Sequence, residues 1–170
     1  MSLEVEDGTG KATAESYISV VDASTYFTAR AVTAWAALAS DALREAALRK
    51  ATEYMIATYR DRWQGVRSYA SVQALCWPRY GVVIEGIQID DDVIPEAVKR
   101  ACAELALKAA TAELSPDLTQ GVLSEQVGSI AVTYDKSSPQ SVRYKAVDSL
   151  LAPYLTTGGS SGCSMRLVRT

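Results

Sequence analysis

The sequence has no histidine in its 170 residues. That removes the side chain that titrates closest to neutral pH, the commonest metal ligand, and the base of every Ser–His or Cys–His hydrolytic arrangement. Cysteine is scarce: Cys76, Cys102 and Cys163 are far apart and odd in number, which excludes a disulfide framework or a zinc site. Cys76 and Cys102 stand in apolar contexts and read as small core residues. No apolar run approaches the ~20 residues that span a membrane. The opening Met1-Ser2-Leu3-Glu4-Val5-Glu6-Asp7 lacks the basic and apolar regions of a signal peptide, so a cytoplasmic protein without a membrane partner is expected. There is no excess of base. Seventeen Lys and Arg face twenty Asp and Glu, for a net charge of −3, whereas domains that coat nucleic acid are usually basic. A local basic patch remains compatible with that balance.

Catalytic and cofactor signatures are missing as well. There is no GxGxxG, no CxxC and no convincing carboxylate pair. Gly8-Thr9-Gly10-Lys11 lacks the full spacing and the preceding strand of a phosphate loop. Asp90-Asp91-Asp92 could hold Mg²⁺ or Ca²⁺ if further carboxylates converged; a turn capping the next helix is the stronger reading. The chain therefore reads as a non-enzymatic module with no catalytic residue, no cofactor and no metal.

What is present is helical periodicity. After the acidic turn and Pro95, Val98, Ala101, Cys102, Leu105, Ala109 and Ala112 recur at steps of three and four, one apolar face of a central helix ending near Leu114. Glu96, Arg100, Glu104 and Lys108 form a charge ladder of alternating sign along another edge. It reads as a solvated edge or as the meeting face of a neighbouring subunit. Ser40 and Asp41 open a second long helix to about Tyr59, with Leu43, Ala47, Ala51, Tyr54, Met55 and Thr58 on its apolar side and Arg44 breaking the pattern. Shorter helices are expected from Asp22 or Ser24 to about Arg30, over Thr33–Leu38, and over Val142–Tyr154. Tyr80–Ile89 is β-like with a turn at Glu85-Gly86, and Gln126–Tyr134 alternates as a strand. The fold class is thus mainly α: a small bundle of four to five helices with a short β-hairpin. It comprises one domain over 1–155 with an N-terminal arm (1–15), and a Gly/Ser-rich flexible tail (156–170). The tail ends in Met165, Arg166, Leu167, Val168 and Arg169, which reads either as a docking segment or as a frayed terminus.

The one cationic cluster is Arg60, Arg62, Trp63 and Arg67. It is either the end of a helix with Trp63 as a half-buried lid, or a small stacking-plus-phosphate site. Tyr69, Trp77 and Arg79 lie close in sequence and strengthen the second reading; Trp77, before Pro78 and among apolar residues, looks like core and weakens it.

Several stretches taken in order carry a resemblance. They are Val5–Gly10 with Glu15–Ser19 and Asp22–Phe27; Gln73–Arg79; Ile94–Ala101 with Glu104–Ala106; and Tyr144–Pro153. Over residues 5–155 the chain resembles a family of tailed-phage proteins, some labelled DnaT-like single-stranded DNA-binding proteins, with structural relatives that act as head–tail connectors. The connector resemblance implies a helical subunit in a ring, commonly of twelve copies, beneath the portal in the virion neck. Such a ring would be made in the host cytoplasm, contact the portal protein and a tail, nozzle or stopper protein, and let genome DNA pass without sequence-specific binding. Carried over, Met165–Arg169 would bind the portal, Gly121–Ser138 would project, and the ladder Glu96, Arg100, Glu104 and Lys108 would meet the next subunit. The alternative implied by the label is a replication protein that binds single-stranded DNA, with Arg60, Arg62, Trp63 and Arg67 as its contact.

Overall fold

The computed structural model describes residues 2–116, 124–127, 130–133 and 142–156. Among these the chain is mainly α-helical, with three two-stranded antiparallel pairs. The helix α1 (Val20–Thr28) starts at Ser19, whose hydroxyl accepts from the Asp22 N–H, so the cap lies ahead of both Asp22 and Ser24. A single turn, α2 (Thr33–Ala36), follows. The long helix α3 (Asp41–Tyr59) is capped by Ser40, and α4 (Glu96–Ala109) crosses it as its main packing partner. The last helix, α5 (Lys145–Leu151), packs on α4 and runs into a 3₁₀ turn at Ala152–Tyr154.

The central helix is more deeply seated than one apolar stripe requires. Val98, Ala101, Cys102, Leu105 and Ala109 are buried, and so are Ala103 and Ala106 on the flanks. Small side chains on several sides let α3 and α5 approach at once. Ala112 lies beyond the helix end and is exposed. On α3 the buried set is Ala47, Leu48, Ala51, Thr52, Met55 and Tyr59. Leu43 and Thr58 face solvent instead, because the face turned to α4 is rotated by about one residue from the expected stripe.

The acidic turn does not cap α4. The N-cap is Pro95, without a side-chain hydrogen bond. The turn serves as a dock: the Ser68 hydroxyl donates to the Asp91 carbonyl at 2.6 Å. Gly8 lies so close to Asp92 that a Cβ there would sit 1.8 Å from its carbonyl oxygen. Tyr80–Ile89 folds as expected into a hairpin, β3 (Val83–Ile84) with β4 (Ile87–Gln88). Both turn residues have positive φ, Glu85 at 52° and Gly86 at 83°, as a type I′ turn requires. The stretch read as one strand, Gln126–Tyr134, is a second hairpin, β5 (Ser124–Val127) with β6 (Ile130–Thr133). Of the expected projecting segment Gly121–Ser138, only these two strands are among the described residues.

Candidate nucleic-acid interface

The cationic cluster begins where α3 ends. Arg60–Arg62 forms a 3₁₀ turn, then β1 (Val66–Arg67) pairs with β2 (Arg79–Tyr80). The turn is fastened from behind by the end of the domain. The Gln64 N–H donates to the Tyr154 carbonyl at 3.0 Å, and the Thr156 N–H to the Arg62 carbonyl at 2.6 Å. Trp63 is not a half-buried lid. It is 4% exposed and packs edge-to-face on Trp77, which is fully buried and in turn meets Tyr154. Neither indole N–H has a hydrogen-bond partner, so ring packing alone fixes these side chains. Neither tryptophan presents a face for a base to stack on.

The arginines behave differently from one another. Arg79 is 8% exposed. It donates to the carbonyls of Gln64 at 2.7 Å, Cys76 at 3.1 Å and Gly65 at 2.6 Å, so it is chiefly a structural clasp holding the turn. Burial pushes its pKa below that of an ordinary arginine, with Arg67 pushing the same way. Arg67 is its direct cross-strand partner and spends one N–H on the Gln73 carbonyl at 3.1 Å. Like charges set directly opposite each other disfavour a strand pair. Arg60 is exposed and completes the wall of a cavity of about 400 Å³ with Val66, Arg67, Ala70, Cys76 and Arg79. No carboxylate lines this cavity. Among the described residues none of Arg60, Arg62, Arg67 and Arg79 is in a salt bridge. Burial raises the pKa of the Cys76 thiol, while Arg60, Arg79 and Arg67 pull it down. Three guanidinium groups thus converge on one concavity with carbonyl dipoles, but no anion, to balance them.

The other expected site residues are dispersed. Glu96 pairs with Lys99 at 3.0 Å and touches Arg100 at 4.0 Å. Glu104 accepts the Tyr26 hydroxyl at 2.9 Å, tying α1 to α4. Arg100 and Lys108 are exposed. Three of the four ladder residues are therefore engaged within the chain, and the ladder does not join the arginine cavity. Met165, Arg166, Leu167, Val168 and Arg169 lie outside the described residues. Among the described residues no cluster of three or more Cys, Asp and Glu could hold a metal ion, so the aspartates 90–92 do not converge with others. No described helix is long and apolar enough to cross a membrane. Arg44, the residue that broke the α3 pattern, donates to the carbonyls of Ala36 at 3.1 Å and Leu38 at 2.9 Å, and so closes the chain after α2.

Fold and surface together define a small, mainly α-helical domain that carries an arginine-lined cavity. The family model described as "Putative DnaT-like ssDNA binding protein" matches residues 1–170, and the chain belongs to that family. Neither a curated protein nor a solved structure gives a significant match. The sequence singles out Arg60, Arg62 and Arg67, with Arg79 close by. It does not show that Arg79 is opposed to Arg67, because that pairing is made by a strand register.

Proposed function

We propose that the protein binds single-stranded DNA, and that phosphates of the strand are held at the cavity of Arg60 and Arg67, with Arg79 as the buried cation behind them. One observation carries this reading: opposed arginines on β1 and β2, joined by Arg60, in a cavity whose lining holds no carboxylate. Such a cluster is relieved by an anion and charges little of its own surface. The family description is consistent with it. The net charge of −3 confines the attraction to this patch, so binding should be modest and strongly weakened by salt. The test is anisotropy of a labelled single-stranded oligonucleotide at low and physiological salt. The expected result is binding that falls with salt, and a loss of tenfold or more in the Arg60→Ala/Arg67→Ala double variant. No binding at low salt, or an unchanged affinity in that variant, would overturn it.

A second reading is favoured by a different surface. The β3–β4 hairpin exposes Ile87 (70%) and Val83 (48%), and the neighbouring β1–β2 pair exposes Tyr80 and Val66. Apolar side chains exposed on two short strand pairs suit contact with another protein. In this reading the chain is a head–tail connector subunit of a tailed phage. It forms a ring, of about twelve copies on the resemblance, beneath the portal in the virion neck, and meets the portal and a tail, nozzle or stopper protein while DNA passes through. A ring needs two unlike faces per subunit, and the hairpin and the exposed Glu96, Arg100 and Lys108 edge lie on separate elements. Light scattering, alone and with the portal protein, separates the readings. A ring-sized mass supports the connector; a monomer that ignores the portal and binds the oligonucleotide removes it.

A further inference from the structure

The Arg60–Arg62 turn has a second side. Arg60 lines the arginine cavity, whereas Arg62, two residues on in the same 3₁₀ turn, lines a groove of about 590 Å³ between the end of α3 and the start of α5. Three tyrosines, Tyr54, Tyr59 and Tyr144, line that groove, and Arg143 lies at its edge with Arg62. The rings are held in place. Tyr54 and Tyr144 meet edge-to-face with centroids 5.5 Å apart. The Tyr59 hydroxyl donates to Asp148 at 2.7 Å, and the Tyr144 hydroxyl to the Leu114 carbonyl at 3.2 Å. Asp148, the acidic residue in the lining, accepts that hydrogen bond through Oδ1. Arg62 lies 5.7 Å from the centre of the Tyr59 ring. Arg62 and Arg143 are exposed and, among the described residues, in no salt bridge.

We infer that this groove takes the bases of the strand whose phosphates lie on the other side of the turn, with Tyr54 and Tyr144 as stacking partners and Arg143 as a flanking phosphate contact. The inference rests on the single-stranded DNA reading and adds to it the part that the buried tryptophans cannot supply. Aromatic faces accept any base, and arginines beside them hold the backbone. With Tyr144 fixed by its hydroxyl and Tyr54 by the edge-to-face contact, the two rings lose little further freedom when a base is laid on them. Recognition through stacking also implies little sequence preference.

The discriminating probe pair is an oligothymidylate and an abasic oligodeoxynucleotide of equal length, which share phosphates and differ in bases. The full chain should bind the oligothymidylate about tenfold more tightly, the loss expected for one stacked base. Tyr54→Leu, which keeps an apolar side chain but removes the ring, should bring the two probes to nearly equal affinity. Arg143→Ala, a surface change that spares the core, should weaken both and reduce the dependence of log K on log salt by about one phosphate contact. Equal binding of both probes by the unaltered chain, or an intact preference in Tyr54→Leu with an unchanged salt slope in Arg143→Ala, overturns the groove while leaving phosphate binding at Arg60 and Arg67 in place. Failure of the unaltered chain to bind either probe removes both.

Discussion

Glu6 shows how much one residue can decide. Its carboxylate is 2% exposed and accepts the backbone N–H groups of Gly8 at 3.0 Å, Gly10 at 2.9 Å and Lys11 at 2.8 Å. The Gly8-Thr9-Gly10-Lys11 loop does present a cradle of N–H groups, as its composition suggests, and the chain fills that cradle with its own anion. That closes the loop to phosphate and seats the arm more deeply than its polar sequence implies. Lys11 and Asp7 pair outside it at 2.9 Å. Glu6→Ala leaves three donors without an acceptor, two of them buried. It should cost about 2–3 kcal/mol, read as a fall in Tm of about 5–10 °C by circular dichroism. Cysteine offers a second check at this scale. Burial raises the pKa of both Cys76 and Cys102, so in a Cys163→Ser background neither should react with a thiol reagent at pH 8 until the chain is unfolded.

At the scale of elements, α4 and the β3–β4 hairpin are opposite cases. The helix is buried on several sides, so its cost of disruption is set by packing. Leu105→Ala opens a cavity at a side chain with no exposed surface and should destabilise by about 2–5 kcal/mol in urea unfolding. Leu105→Asp places an unpaired charge there and should abolish folding. The hairpin is held by its turn. Glu85 occupies a left-handed conformation at φ 52°, which disfavours a residue with a bulky Cβ substituent. Glu85→Asn supplies the residue type that I′ turns prefer and should stabilise the chain by about 0.5–1 kcal/mol without altering the exposed Val83 and Ile87. A loss of stability in that variant would mean that the turn is held from outside by contacts of Glu85. The helices and this hairpin were legible in sequence because caps, apolar periodicity and Gly86 are local signals. The β1–β2 pair was not: two residues on each side make no pattern, and the register that opposes Arg67 to Arg79 is fixed by the buried guanidinium of Arg79 reaching across to Gln64 and Gly65.

The whole molecule has a pH dependence written into its closure. Tyr59 on α3 donates to Asp148 on α5, and burial first, then that carboxylate, raises its pKa above the ordinary tyrosine value. Tyr17 is raised as well, by burial first. A raised pKa means that the folded chain keeps these protons after the unfolded chain begins to lose them. The stability they confer is therefore complete below about pH 10 and declines as pH rises beyond it. Urea midpoints should hold between pH 8 and 9 and fall above 10, with a smaller fall in Tyr59→Phe. The charge of the whole molecule is equally uneven. An acidic chain concentrates five arginines about one turn, Arg60, Arg67 and Arg79 on one side and Arg62 and Arg143 on the other, and that local excess, not the net value, governs what an anion meets.

By itself the sequence determined the class of fold, the helix starts at Ser40 and near Pro95, the hairpin turn, and which residues could supply cation and aromatic chemistry. Those properties follow from local conformational preference and from apolar periodicity, which need no partner to be read. Tertiary structure alone decided which of those residues are available. It buried Trp63 and Trp77, spent Arg79 on carbonyls, filled the glycine loop with Glu6, and gathered Tyr54, Tyr59, Tyr144 and Arg143 from α3 and the approach to α5. Burial and hydrogen-bond saturation depend on what the rest of the chain places next to a side chain, and no local pattern encodes that.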